Sequence, residues 1–227
     1  MKTLALVAAV AASLAVPARA DAVIDAIRAE AGTLTPHPFE RTRTVRDTRD
    51  GDAPRTEVDR FDPKAPKGRQ WTLVSVNGRA PTEAERQEHA SFVNDQTVIP
   101  GAWRLDPLLA GPSPKVTPGG ETTTYSWPRL PKGSLPLSRF DLTANLAAEA
   151  TVAEVGGKPT VTRLRIFAPE PFRVLAIAKI ERMTVTSEYA RDSNGRLLLT
   201  RQETVQDGNI PGRGKGTLRT EMRFRPL

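Results

Sequence analysis

Alternation of apolar and polar residues in the second half of the chain is the feature that most limits how this sequence can fold. From residue 140 to residue 152, every second position is apolar. These positions are Phe140, Leu142, Ala144, Leu146, Ala148, Ala150 and Val152. A period of two is typical of a β-strand with one buried face. The sequence therefore predicts a strand over 140–152 whose buried face is undersized, because three of its seven apolar residues are alanine.

Turn signals divide the rest of the second half into an antiparallel meander. Gly156-Gly157 and Asn194-Gly195 are typical of tight hairpins. A change of parity between Ile180 and Met183 indicates a β-bulge, and a Gly-rich loop is predicted at 207–216. The strands predicted along the whole chain are 39–48, 55–61, 70–76, 122–127, 140–152, 160–168, 172–190, 196–206 and 217–225.

Two helices accompany these strands. The first is predicted over 21–33, where apolar residues recur at spacings of three and four. The second begins at Thr82, which forms a capping box with Glu85, and runs to about Val93 with a thin apolar face. The predicted fold is mainly β (α+β): a single curved antiparallel sheet or incomplete barrel of eight or nine strands, with an N-terminal helix and one lid-like helix.

The first twenty residues are typical of a cleavable secretory signal peptide. Lys2 precedes an apolar run from Leu4 to Val16, and Ala18-Arg19-Ala20 supplies the small residues that a signal peptidase requires. The sequence therefore predicts cleavage after Ala20, which leaves residues 21–227 as a single soluble domain in the periplasm. A retained N-terminal membrane anchor is the alternative.

Charge and cysteine content exclude several classes of protein. The formal net charge is +7, and it falls to +5 without the signal, which carries Lys2 and Arg19 and no acidic residue. This charge is spread along the chain, which favours a solvated surface and leaves open a transient contact with an anionic membrane surface or acidic glycans. Nucleic acid is not an expected partner, because the chain is predicted to be exported. It also has no motif of aromatic and basic residues that would recognise bases. The absence of cysteine excludes disulfides and thiolate metal sites.

Candidate catalytic residues are few. The two histidines are His37, in a loop between prolines, and His89, predicted on the exposed side of the second helix. Neither has acidic residues at metal-ligand spacing, and no nucleophile motif occurs. We therefore predict no enzyme activity, no cofactor and no metal. A hydrolase is the weakest hypothesis, and a buried pair of histidine and carboxylate in a cleft would favour it.

The alanine-rich strand is the more informative feature. Small side chains leave volume above the sheet, which either a closely packed helix or a hydrophobic ligand can fill. Trp71, Trp103, Tyr125 and Trp127 are either core anchors or groove residues. The irregular, proline-rich region 99–138 is either functional or mobile. The predicted ligand-binding residues are Leu142, Ala144, Leu146, Ala148, Ala150, Ile166, Met183, Val185 and Met222.

The order of signal, helix, charged strands, helix-and-loop insertion and long meander resembles the periplasmic lipoprotein-carrier (LolA/LolB-like) superfamily. The stretch from Phe61-Asp62-Pro63 to Gly68, with Trp71-Thr72-Leu73, Gly78 and Pro81-Thr82, is also similar to exported lipoprotein-sorting-like proteins of uncharacterised role. The resemblance implies an incomplete barrel whose concave apolar face is covered by helices and holds acyl chains. The absence of cysteine separates the chain from the lipid-anchored receptor of that superfamily.

These observations lead to two principal hypotheses. The first is a periplasmic carrier or binding protein that holds a lipid or an acylated polypeptide in an apolar groove. The second is an envelope assembly or structural protein with a packed core, which docks a partner through a sheet edge or its loops.

Overall fold

A computed structural model of the protein describes residues 15–51, 53–94, 105, 109, 114–134, 136–137, 140–174 and 178–227. The fold is mainly β, with two helices and one large antiparallel sheet that is not closed into a barrel. The fold class predicted from the sequence is confirmed in this respect. Trp103 and most of the predicted signal peptide lie outside the described residues, as do parts of the proline-rich region.

The strands of the first half flank an insertion that carries the second helix. They are β1 (Phe39–Asp47), β2 (Arg55–Phe61), β3 (Trp71–Val76), β4 (Lys115–Gly119), β5 (Thr122–Trp127) and β6 (Pro136–Leu137). Those of the second half are β7 (Phe140–Asp141), β8 (Ala147–Val155), β9 (Lys158–Phe167), β10 (Phe172–Val174), β11 (Ala178–Arg191), β12 (Leu197–Ile210) and β13 (Gly214–Pro226).

The order of strands joins the two halves of the chain into one sheet. Across the sheet the order is β3-β2-β1-β13-β12-β11-β9-β8-β5-β4, β10 pairs with β11, and β6 and β7 form a separate pair. The first strand therefore lies beside the last, and β3 and β4 are the two edges. Within the described part of the chain, the large sheet has eleven strands rather than the predicted eight or nine.

Both helices cover the same face of this sheet, which we call the inner face. Residues paired across an antiparallel ladder point to the same side. One row of paired residues crosses seven strands, from β8 to β2, and joins the apolar and charged parts of this face. The row is Ala150, Leu164, Ser187, Gln202, Met222, Arg43 and Glu57.

Helix α1 (Ala15–Thr33) covers the apolar end of the inner face. It begins six residues before the predicted start, so the predicted cleavage after Ala20 falls inside the helix. Helix α2 (Glu83–Asn94) covers the end formed by β1 to β3. The Thr82 hydroxyl accepts a hydrogen bond from the Glu85 amide (3.3 Å), and the Glu85 carboxylate accepts one from the Thr82 amide (2.8 Å), which confirms the capping box. None of the helices in the described ranges is long and apolar enough to cross a bilayer.

The predicted strand over 140–152 is wrong in its first half. β8 begins only at Ala147, after a short 3₁₀ helix at Thr143–Asn145. The reason is local, because the Asp141 carboxylate accepts hydrogen bonds from the amides of Thr143 (3.0 Å) and Gly133 (3.2 Å) and so stabilises a turn. The alternation of apolar residues does not show where side-chain hydrogen bonds of this kind replace the backbone pairing of a strand.

The region predicted as a loop at 207–216 is also different in the structure. β12 continues to Ile210 and β13 starts at Gly214, so only a tight turn separates them. The predicted bulge is confirmed by a shift of register between Ile180 and Arg182.

Candidate ligand-binding face

Six of the nine predicted ligand-binding residues lie together in one buried cluster on the inner face. They are Leu146, Ala148, Ala150, Ile166, Met183 and Val185, and each is at most 7% exposed. Leu142 packs against the cluster and is partly buried. Met222 is half-buried and lies outside the cluster, between Arg43 and Gln202. Ala144 is exposed, because it lies in the 3₁₀ turn rather than in a strand.

The two alanines of β8 are flanked by much larger side chains. Trp127 is paired with Ala148 and Tyr125 with Ala150, and both aromatic residues are buried. The same cluster contains Ile24 and Ile27 of α1, as well as Leu105, Leu109 and Leu130. The volume that the small side chains leave is therefore occupied by other parts of the chain in this conformation.

A limited set of contacts attaches α1 to the sheet. Among the described side chains of α1, only those of Ile24 and Ile27 are fully buried. Val23 and Ala31 are partly buried against the cluster. Near its C-terminal end, Glu30 receives two hydrogen bonds from Arg191 of β11, at 2.6 and 2.7 Å. One hydrophobic contact region and one bidentate ion pair thus hold this helix.

The sheet itself holds Arg191 in place. Its Nε donates to the Thr160 hydroxyl (2.7 Å), and Nη1 also donates to the Gly195 carbonyl oxygen (2.7 Å). The Arg191 side chain is only 5% exposed. The predicted Asn194-Gly195 turn therefore also positions the cation that binds α1. Sequence reasoning missed this pair, since Glu30 and Arg191 are 161 residues apart.

Acid is expected to loosen α1. The hydrogen bond from Arg191 lowers the pKa of Glu30 from its ordinary value of 4.5. Because the folded-state pKa is the lower one, this pair stabilises the attachment above pH 4.5, and the contribution is lost as the pH falls through the folded value. Hydrogen-exchange protection of residues 24–33 should therefore fall with pH below 4.5, relative to that of β11. Glu30→Gln should remove this extra pH dependence, and an unchanged profile in that variant would contradict the assignment.

A second set of buried side chains lies under α2, and it includes charged residues. The Asp59 carboxylate accepts hydrogen bonds from Arg41 Nε (3.0 Å) and Nη2 (2.6 Å), and His89 Nε2 lies 2.8 Å from Asp59 Oδ2. The Arg41 guanidinium also stacks on the ring of Trp71, at 4.4 Å from its centroid. Burial alone would raise the pKa of Asp59, but His89 and Arg41 together hold that pKa below its usual range.

The predicted exposed position of His89 is wrong, because the residue is 5% exposed. Because the apolar face of α2 is thin, its sequence did not indicate that His89 and Val93 both point into the protein. Its partner Asp59 lies thirty residues earlier on another element, so local spacing could not indicate it. The pair is the one that the hydrolase hypothesis required, but solvent hardly reaches it and Arg41 bonds both carboxylate oxygens. We therefore assign it the role of anchoring α2.

A small pocket lies beside Phe39 and Phe224. It has a volume of about 20 Å³ and is also lined by His37, Leu198, Leu199, Thr200 and Pro226. That volume holds a single water molecule. Among the described residues, no group of three His, Cys, Asp or Glu side chains could hold a metal ion.

No family model, no curated protein and no solved structure matches this chain. Its function is therefore inferred from the geometry of its own residues.

Proposed function

We propose that this protein is a periplasmic carrier or binding protein for a hydrophobic ligand, a lipid or an acylated polypeptide. The ligand would take the place of α1 on the inner face. The observation that carries this proposal is the cluster that Ala148 and Ala150 share with α1, whose described side chains contribute only Ile24 and Ile27 as fully buried members. Ligand and helix would then compete for one surface.

The burial energies of the helix and of an acyl chain are comparable. Burial of Ile24 and Ile27 stabilises the covered state by about 3–6 kcal/mol, and the partly buried Val23 and Ala31 add to this. The partly exposed Glu30–Arg191 pair adds up to about 1 kcal/mol. An acyl chain with roughly fourteen methylene groups gains about 11 kcal/mol when all of them are buried. A long acyl chain can therefore offset the release of the helix and the ordering of the ligand.

The proposed location and membrane contact have separate support. The apolar segment ending at Ala18-Arg19-Ala20 and the absence of cysteine support export to the periplasm as a released protein. The face of the sheet opposite to the helices carries arginines that neighbouring acids largely neutralise. Arg201, for example, contacts Glu188, Glu203 and Glu221. Any contact with an anionic membrane would therefore be weak and sensitive to salt.

The proposal is tested by uptake of cis-parinaric acid, a fatty acid whose fluorescence rises in an apolar site. We expect the purified protein to bind it, and Glu30→Ala to bind it up to about fivefold more tightly, because the cover is released more easily. Ala148→Leu should bind it about tenfold more weakly, because the added side chain occupies the ligand's volume.

Two matched variants control for unspecific effects. Glu149→Ala removes an ion pair with Arg165 on the opposite face, and Ala153→Leu enlarges a residue of the same strand on that face. Both should bind like the unchanged protein. Absence of uptake by the unchanged protein and by Glu30→Ala together would refute the proposal.

The second hypothesis, an envelope protein with a packed core that docks a partner, has one observation in its favour. Ala148 and Ala150 are at most 2% exposed, so the covered face is filled in this conformation. In that case a partner would co-purify equally well with the unchanged protein and with Ala148→Leu, and neither would take up the fatty acid.

A further inference from the structure

Hydrogen-bond donors are in excess among the buried side chains. In the described parts of the chain, the buried side-chain atoms without a partner are Arg41 Nη1, Arg55 Nε, Trp127 Nε1, Ser134 Oγ and Tyr189 Oη. Three of these are N–H donors and two are hydroxyls, and none is a carboxylate or amide oxygen. A buried donor without an acceptor is costly and rare in folded proteins. Each one therefore requires an explanation.

Trp127 is the unpaired donor nearest to the alanine-rich strand. The residue is 1% exposed, it is paired with Ala148, and it belongs to the apolar cluster under α1. An indole N–H can only donate, so its missing partner must be an acceptor. A buried water needs two to four polar partners, and apart from the hydroxyls of Tyr125 and Tyr189 the side chains of this cluster do not offer them. Water is therefore a poor explanation for this N–H.

Tyr189 occupies a different position on the same face. It lies on β11, where the nearby Ser187 hydroxyl accepts a hydrogen bond from Gln202 at 3.2 Å. Burial raises the pKa of Tyr189 and the Ser187 hydroxyl opposes that rise, yet no hydrogen bond of normal geometry reaches the Tyr189 oxygen. This polar surrounding can hold a buried water. The strand spacing and the register separate the Cα atoms of Tyr189 and Trp127 by about 20 Å along the sheet.

We propose that Trp127 determines which hydrophobic ligands the inner face accepts, by donating its indole N–H to an oxygen of the ligand. The inference rests on the proposed function and deepens it. The ligand is then an acyl compound whose carbonyl or carboxylate oxygen lies beside Ala148, and a pure hydrocarbon is a poorer ligand. Once the ligand has displaced the side chains that cover this face, the small side chain of Ala148 does not obstruct an oxygen next to the indole ring.

The test compares two fluorescent probes that differ in oxygen content. Methyl parinarate has an ester carbonyl, and diphenylhexatriene is a hydrocarbon with no acceptor. Trp127→Phe is expected to weaken binding of the ester about tenfold, the value of one hydrogen bond in an apolar site, and to leave binding of the hydrocarbon unchanged. Tyr189→Phe is the matched control, since it removes an unpaired donor of the same cluster that the bound oxygen cannot reach. That variant should bind both probes like the unchanged protein.

A second variant removes the N–H without changing the shape of the ring. Replacement of Trp127 by 3-benzothienylalanine should weaken ester binding to the same extent, while the free energy of unfolding of the ligand-free protein stays the same or rises, because a buried N–H without an acceptor is removed. A loss of stability in the ligand-free protein would show that the N–H already has a partner, and would overturn the inference. Equal binding of the ester by all variants would also overturn it, with the carrier function intact. Failure of the unchanged protein to bind either probe would remove both proposals.

Discussion

Asp59→Ala is expected to lower the free energy of unfolding by about 3–5 kcal/mol, because the change leaves a buried guanidinium without its counter-charge. The side chains of Arg41 and Asp59 are 0% and 1% exposed, so water cannot replace the lost carboxylate. His89 would lose its partner at the same time, which loosens α2. Urea unfolding at pH 7, followed by far-UV circular dichroism, measures the effect.

Two further variants distinguish the effect of the buried charge from the general effect of a substitution in β1 or β2. Arg60→Ala removes an ion pair with Glu40 on the opposite face of β1 and β2, where Arg60 is about half exposed, and should cost less than about 1 kcal/mol. The double change Arg41→Met with Asp59→Leu should recover most of the loss, because no uncompensated charge remains. A loss below about 1 kcal/mol for Asp59→Ala would mean that solvent reaches the pair.

Gly208→Ala is expected to cost about 1–3 kcal/mol, because the added methyl group has no room. A Cβ atom at Gly208 would lie 2.4 Å from the carbonyl oxygen of Lys179 and 3.3 Å from the Cα atom of Ile180. Both are backbone atoms of β11, so relief requires that two paired strands move apart next to the bulge. Thermal unfolding measures this loss.

Gly119→Ala provides the comparison for this prediction. Its Cβ would meet the backbone of Thr122 at an ordinary contact distance of 3.5 Å, on an edge strand that is exposed. This variant should remain within about 0.5 kcal/mol of the unchanged protein. Equal losses in the two alanine variants would show that glycine flexibility, and not the close approach of β11, explains the effect.

Local patterns predicted many elements well. The bounds of β2 and β5 were predicted without error, and so was the end of α1 at Thr33. The two strands could be predicted because a strand with one buried face forces alternation. The helix could be predicted because its apolar residues recur at spacings of three and four. The predictions missed β4, whose Lys115 and Pro118 are typical of edges and turns, and they placed Ala144 in a strand that begins later. In both places a local preference for turns hid or interrupted the pattern.

The candidate site was predictable in part. The alternation in the strand predicted that Leu146, Ala148 and Ala150 share a face, and the structure places them in one cluster. It could not predict that Ile24 and Ile27 of α1 share this cluster with Leu105, Leu109 and Leu130, since a small side chain gives the same signal whether protein or ligand covers it. Whether the face binds an acyl ligand stays a prediction.

The sequence by itself determined which side chains of β2, β5 and β8 share a face, the turns at 156–157 and 194–195, and the cap of α2. Those features depend on contacts within a few residues, so their spacing is visible in the chain. Only the tertiary structure decided that β1 lies beside β13, that Asp59 meets His89, and that Arg191 binds Glu30. The physical reason is that the order of strands in the sheet brings such residues together across long stretches of chain, and no local pattern records that order.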